Sequence, residues 1–131
     1  MSAPVIWGVV GGAAVAASPL GFWWLSSATV YACGLILIAS VYIGFSVADG
    51  RQMSSRRGRR ATSFVVLAAM AITGPAWLIV AGLTAHGVKD FWQHRTRYVA
   101  NTRWWPPFCA TTDWVAAAIL AAAIAIGADL G

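Results

Sequence analysis

The sequence predicts an all-α integral membrane protein, a single domain over residues 1–131 built as a bundle of about five transmembrane helices. Of its residues, 60% are hydrophobic and only 10% are charged, whereas roughly a quarter are charged in a soluble domain. The apolar residues form runs rich in Ala, Leu, Ile and Val, without the alternating polar and apolar pattern of a β-barrel strand. Helices are therefore the elements that satisfy the backbone in a bilayer.

The first two apolar runs predict two helices joined by a tight turn. Residues 4–18 contain Gly8, Gly11 and Gly12, small residues that let another helix approach closely. The Ser-Pro-Leu-Gly sequence that follows ends this helix, because proline removes a backbone donor. Because no Lys or Arg occurs in the first seven residues, we expect the run to be retained rather than cleaved as a signal peptide. Residues 26–48 are long enough to cross, since about 20 helical residues span the hydrocarbon core.

The second run places Tyr31, Tyr42 and Asp49 on one stripe at helical spacing. Tyrosines in such a position typically pack between helices, with the hydroxyl bonded to a backbone carbonyl. The alternative is that Tyr42 and Asp49 line a binding site.

A polar loop at residues 49–60 sets the predicted orientation. Basic residues beside membrane spans mark the cytoplasmic side, and they also favour anionic lipid headgroups. We interpret this cluster as a topology determinant, with headgroup binding as the second interpretation. Its members are Arg51, Arg56, Arg57, Arg59 and Arg60.

Residues 61–93 allow two interpretations. One span over residues 63–84 gives four helices in total and separates the arginine loop from the later basic residues. A break at Gly74-Pro75 gives two spans, about residues 60–73 and 75–93, and places all nine basic residues on one face. The break satisfies the positive-inside rule, and proline is favoured at the start of a helix. We therefore expect five spans, of which two are short for a core of about 30 Å.

The next segment is basic and aromatic, and it leads into the last predicted helix at residues 107–128. Aromatic residues favour the headgroup level and arginines pair with lipid phosphates. We expect both kinds of side chain at the cytoplasmic surface; they are Arg95, Arg97, Arg103, Trp104 and Trp105.

His86, Asp90 and His94 are four residues apart and so share one face of a helix, and Asp113 lies in the first turns of the last helix. Ionisable groups at membrane depth usually face a partner or a polar cavity. Imidazoles and carboxylates also bind zinc, iron or manganese, which makes His86, Asp90 and His94 candidate ligands. A structural network of charge pairs and helix caps is the remaining alternative.

Three pieces of the sequence carry a resemblance: YIGFSVADGR, HGVKDFWQHR with its HGxxDxxxH spacing, and RWWPPFC. Together they resemble a group of uncharacterised small polytopic membrane proteins of actinobacteria. The resemblance implies a multi-pass protein of the bacterial cytoplasmic membrane and supplies no activity.

The predicted function is the binding or transport of a small solute, ion or lipid at the cytoplasmic helix ends. The site would be centred on His86, Asp90, His94 and Asp113, with Asp49 and Tyr42 contributing. Alternatives are a metal-dependent membrane enzyme acting on a lipid or isoprenoid, and a non-catalytic accessory subunit. Enzymatic activity is the less favoured interpretation, since no GxSxG elbow, phosphate loop or HExxH motif occurs.

The expected partners follow from the same composition. They are the lipid bilayer and either a second copy or a larger membrane complex, through the glycine- and alanine-rich faces. Nucleic acid is not an expected partner, because the net charge of +5 lies beside apolar runs. The sequence identifies no cofactor.

The predicted topology has the N-terminus inside and the C-terminus outside. A reporter enzyme that works only outside the cytoplasm should therefore be active when it is fused after the last residue. The matched control is the same reporter fused in the arginine loop, which should report the cytoplasm. A cytoplasmic signal from the C-terminal fusion would rule out five spans in this orientation.

Overall fold

The computed structural model describes residues 2–48, 55–96 and 103–129, with side chains left undescribed at 42–43, 45–48, 55–61 and 64. These residues form five α-helices and no strand. The helices are α1 (Ala3–Ala17), α2 (Ser27–Ala48), α3 (Ser55–Thr73), α4 (Trp77–Thr96) and α5 (Trp105–Ala125), with a 3₁₀ turn at Ser18–Gly21 after α1. The predicted all-helical architecture is confirmed for the described part of the chain.

Local sequence explains where the helices begin. Pro4 lies in the first turn of α1 and Pro106 and Pro107 in that of α5, where the missing N–H costs no hydrogen bond. At the start of α2, the Ser26 hydroxyl accepts a hydrogen bond from the Thr29 backbone N–H at 3.2 Å, which is the geometry of an N-cap.

The predicted break at Gly74-Pro75 is confirmed. Helix α3 ends at Thr73 and α4 begins at Trp77, so the four-helix alternative does not describe this chain. Proline cannot donate the hydrogen bond that a continuous helix requires, and it disfavours helical backbone in the residue before it. Instead, the Pro75 carbonyl accepts the first bond of the next helix, from the Leu78 backbone N–H at 2.9 Å.

The arginine cluster differs from its predicted place in a loop. Because α3 begins at Ser55, Arg56, Arg57, Arg59 and Arg60 belong to its first turns, and arginine is a good helix former. Helix α3 therefore has 19 residues and is longer than the predicted span of residues 60–73, whereas α4 with 20 residues is close to the predicted length. Arg51 and Asp49 lie outside the described residues.

Two stretches of the described chain are long and apolar enough to cross a membrane. They are Ala3–Gly21, which combines α1 with its 3₁₀ turn, and Trp105–Ala125, which is α5. Helix α2 adds a shorter apolar stretch, Ser27–Val41.

Helix α5 packs between α1 and α4, while α2 packs against α3 and also contacts α4. Tyr31 joins α2 to the end of α1, where its hydroxyl donates a hydrogen bond to the Ala16 carbonyl at 2.6 Å. This contact agrees with the interpretation of Tyr31 as a residue that packs between helices. Small side chains dominate the core and keep the helices close. Its buried members are Ala28, Tyr31, Ala32, Leu35, Ala68, Ala71, Ile79, Leu83, Ala116, Ala117 and Leu120.

The predicted close approach at the α1 glycines is confirmed, and the approaching helix is α5. A Cβ atom on Gly8 would lie 2.6 Å from Thr111 Cβ, and one on Gly12 would lie 2.6 Å from Val115 Cβ. The Thr112 hydroxyl donates a hydrogen bond to the Gly8 carbonyl at 3.3 Å. The residue numbers rise together along this contact, so α1 and α5 run in the same direction.

The substitution Gly12→Ala should separate α1 from α5. A methyl group there meets the Val115 side chain and also the Thr112 carbonyl oxygen, at 2.7 Å, and overpacking of this kind costs about 1–3 kcal/mol. Thermal unfolding of the purified protein in detergent measures the effect.

Gly34→Ala is the control, since no atom lies within 4 Å of its added Cβ. That variant should be neutral or more stable, because alanine is the better helix former by about 0.5–1 kcal/mol. Equal midpoints for the two variants would contradict the close packing of α1 on α5.

Candidate functional site

The buried face of α4 changes from apolar to polar along its length. Its first part buries Ile79, Gly82 and Leu83, and its second part buries a polar series. The spacing of three or four residues keeps all of them on one stripe. The polar members are His86, Asp90 and Gln93.

The facing stripe of α5 carries one acid among small residues. Asp113 is fully buried, and Cys109, Ala110 and Ala116 are its buried neighbours at helical spacing. Cys109 lies near the carboxylates of both Asp90 and Asp113. Because α4 and α5 are joined by a short connection, they pack as antiparallel neighbours, which brings the polar half of α4 against the first half of α5.

The centre of the site is a hydrogen bond between His86 Nδ1 and Asp113 Oδ2, at 2.8 Å. Nδ1 also lies 3.5 Å from Asp90 Oδ2. All three side chains are 0% exposed. The pairing of His86 with Asp90, predicted from their spacing, is thus joined by an acid from the next helix.

Lys89 completes what we call the His–Asp cluster: His86, Lys89, Asp90 and Asp113. Its Nζ lies 2.9 Å from His86 Nε2 and 3.1 Å from Asp90 Oδ1. An ammonium group only donates, so Nε2 accepts and the proton of the neutral imidazole is on Nδ1. That tautomer lets Nδ1–H donate to the carboxylate of Asp113.

The cluster leaves acceptors without donors. Among the described residues, no group donates a hydrogen bond to Asp90 Oδ2, to Asp113 Oδ1 or to Gln93 Oε1, and all three atoms are buried. A buried acceptor without a donor costs about 1–3 kcal/mol, and more when it is charged. Two carboxyl groups also lie beside a single ammonium group. The cluster is therefore suited to a cation.

The position of the cluster along α4 and α5 differs from the predicted one, which was at the helix ends. His86 and Asp113 lie near the middle of α4 and α5, because α4 continues to Thr96 and α5 already begins at Trp105. At 1.5 Å per residue, about ten helical residues separate this pair from the near ends of the two helices, a distance of ~15 Å.

Of the other predicted binding residues, only His94 has a described side chain. His94 is exposed, although it lies on the same helix as His86 and Asp90. Asp49 lies outside the described residues. Tyr42 belongs to α2, and its side chain is not described.

The predicted surface residues fall at the same end of the helices. Arg95 is exposed and its guanidinium lies 5.9 Å from the centre of the Phe91 ring. Arg103, Trp104 and Trp105 are exposed before and at the start of α5, where the two indole rings pack edge to face at 5.5 Å. Arg97 lies outside the described residues.

Three residues offer a ligand atom each for a metal ion: His86, Asp90 and Asp113, whose atoms lie within 4.8 Å of one another. The spacing along α4 predicts His94, not Asp113, as the third metal ligand. Neither Lys89 as a member of the His–Asp cluster nor Gln93 as a member of the polar stripe was predicted. Their spacing from His86, by three and seven residues, was the available signal.

A scan against protein-family models, a search of curated proteins and a search of solved structures each found no match for this chain. The resemblance to small actinobacterial membrane proteins stays a prediction.

Replacing His86 by alanine should strongly destabilise the bundle. The change removes the donor to Asp113 and leaves a buried carboxyl oxygen without a partner, which costs about 1–3 kcal/mol, and the missing ring leaves a cavity that adds to this cost. His94→Ala is the matched control, because the same side chain is removed from an exposed position of the same helix. Chemical unfolding followed by circular dichroism measures the difference, and similar stabilities would show that His86 does not hold α4 to α5.

Proposed function

We propose that this chain is a multi-pass protein of the bacterial cytoplasmic membrane that binds a small cation in the His–Asp cluster and moves it across the bilayer. The observation that carries the proposal is the fully buried His86–Asp113 pair near the middle of two neighbouring helices. In membrane proteins, ionisable residues at such depth face the bundle interior and are typical of ion and proton pathways.

The membrane setting is supported by the surface of the bundle. Leu20 is 82% and Trp23 is 80% exposed, in and just after the turn that follows α1. Indole rings and aliphatic side chains in such a place favour the boundary of a bilayer. The large apolar side chains exposed on α1 fit the same setting, since lipid tails would cover them; they are Ile6, Trp7, Val9 and Val10.

The size of the ligand follows from burial. None of the three acidic and imidazole side chains is exposed, so a lipid or a large solute needs the helices to separate first. A small ion needs only a narrow path. The carboxyl oxygens that face the cluster are acceptors and therefore favour a cation over an anion.

The buried stripe of α4 is polar on only one side of His86. Asp90 and Gln93 lead from His86 toward the end of α4, where His94 and Arg95 are exposed. In the opposite direction the buried stripe continues with Leu83 and Ile79, which is apolar. With the predicted topology, a cation enters from the cytoplasm, and its release on the other face requires a rearrangement of the bundle.

A metal-dependent membrane enzyme is the second candidate, favoured by the three ligand atoms within 4.8 Å of one another. It would act on a lipid or isoprenoid. Complete burial of those ligands favours ion binding over this alternative, because a substrate must reach a metal to react on it. An accessory subunit is the outcome if neither ion movement nor metal binding is observed.

The proposal predicts that Asp113→Asn abolishes ion movement. Protein reconstituted in liposomes, under an imposed potential, is assayed with dyes for protons, Na⁺, K⁺ and divalent ions in turn. Loss of the charged carboxylate should reduce flux about tenfold or more, which corresponds to about 1.4 kcal/mol in the barrier.

Asp129→Asn is the control, since it removes a carboxylate from the exposed end of the described chain and should leave flux unchanged. Flux no greater than in empty liposomes for every ion would refute transport by this chain. Unchanged flux in Asp113→Asn would refute the role of the cluster.

A further inference from the structure

We infer that the cation of the His–Asp cluster is a divalent transition-metal ion, bound by His86, Asp90 and Asp113, and that the Lys89 ammonium is the internal cation which this ion displaces. The inference rests on the proposed function for its setting and adds the class of ion and a competing residue.

The geometry of the three ligands fits one ion. Their ligand atoms lie within 4.8 Å of one another, while neighbouring ligands at metal bonds of about 2.1 Å are roughly 3–3.5 Å apart. Binding of one ion therefore requires the three ligand atoms to come closer together by roughly 1–2 Å. His86 Nδ1 already lies 2.8 Å from Asp113 Oδ2 and 3.5 Å from Asp90 Oδ2, so the metal position is next to this nitrogen.

The ligand types select the class of ion. Two carboxylates neutralise a divalent charge, and an imidazole nitrogen suits zinc, iron and similar ions. Calcium and magnesium use oxygen ligands instead. One nitrogen with two carboxylates therefore favours a divalent transition-metal ion over an alkaline-earth ion.

The unpaired acceptors are an independent observation that points to the same ligand. Oδ2 of Asp90 and Oδ1 of Asp113 are buried and receive no hydrogen bond from the described residues. Gln93 is 7% exposed, and its Oε1 likewise lacks a donor. Native proteins rarely leave such groups buried without a partner or an ion.

The ammonium group of Lys89 lies where it would compete with a bound cation. Its Nζ contacts both His86 Nε2 and Asp90 Oδ1. A metal on Nδ1 requires the imidazole proton to move to Nε2, which then becomes a donor facing the ammonium donor. A metal on Nε2 needs the lone pair that Lys89 uses. In both cases the ammonium group must move away from His86. The side chain of Lys89 is 17% exposed, and its flexible aliphatic part allows the ammonium group to move toward the surface.

The test uses the full chain in detergent, with any polyhistidine tag removed because it binds the same ions. Calorimetric titration with Zn²⁺ and visible absorption with Co²⁺ should show one site per chain. Asp113→Asn and Asp90→Asn should each lose the site, while His94→Ala should keep it. Circular dichroism confirms that each variant is folded.

Lys89→Met is the decisive variant, because it keeps every ligand and removes only the competing charge. It should bind Zn²⁺ about tenfold more tightly or better, a change of about 1.4 kcal/mol. Absence of a stoichiometric site in the wild type, a site that survives Asp113→Asn, or unchanged or weaker binding by Lys89→Met would each overturn the inference.

Failure of this inference is distinguishable from failure of the proposed function. If the liposome assay shows flux that Asp113→Asn abolishes, but Zn²⁺ and Co²⁺ do not bind, the cation is a different one and only the metal assignment fails. If metal binds with the expected variant pattern but no ion moves, transport fails and the metal site stands.

Discussion

The interaction on which the bundle depends is the hydrogen bond between His86 and Asp113, made without exposure to solvent. Ionisable groups in such surroundings are costly unless they are paired. The pairing requires α4 and α5 to be close and in a defined register, and small residues supply the closeness. Cys109, Ala110, Ala116 and Ala117 flank Asp113 on the buried face of α5, and their small side chains let α4 approach the acid closely.

The opposite side of α5 is fixed just as closely. Thr112 contacts Gly8 of α1, while its neighbour Asp113 contacts His86 of α4. Adjacent residues of one helix thus face two different helices, and α1 supports the position of the acid without touching it. The glycines of α1 and the acid of α5 belong to one packing arrangement, although they are about a hundred residues apart in the sequence.

The sequence predicted the helices better than the site. Pro75 indicated a break by local chemistry, which needs no knowledge of distant residues, and that break was confirmed. The pairing of His86 with Asp90 followed from helical spacing. The hydrogen bond with Asp113 depends on the register in which α4 packs against α5, and no local pattern specifies that register. His94 has the same spacing from Asp90 as His86 has, yet His94 is exposed, so helical spacing alone does not show which residues of a stripe are buried.

Gly87 and Trp114 give the α4–α5 pair a further mechanical property. They follow His86 and Asp113 directly, and the Trp114 indole lies against the Gly87 backbone, where a Cβ would lie only 2.5 Å from Trp114 Nε1. The polar contact and the steric contact thus require the same register of α4 against α5. A displacement of one helix along the other that breaks the hydrogen bond must also separate the indole from the Gly87 backbone, so the two contacts are gained and lost together.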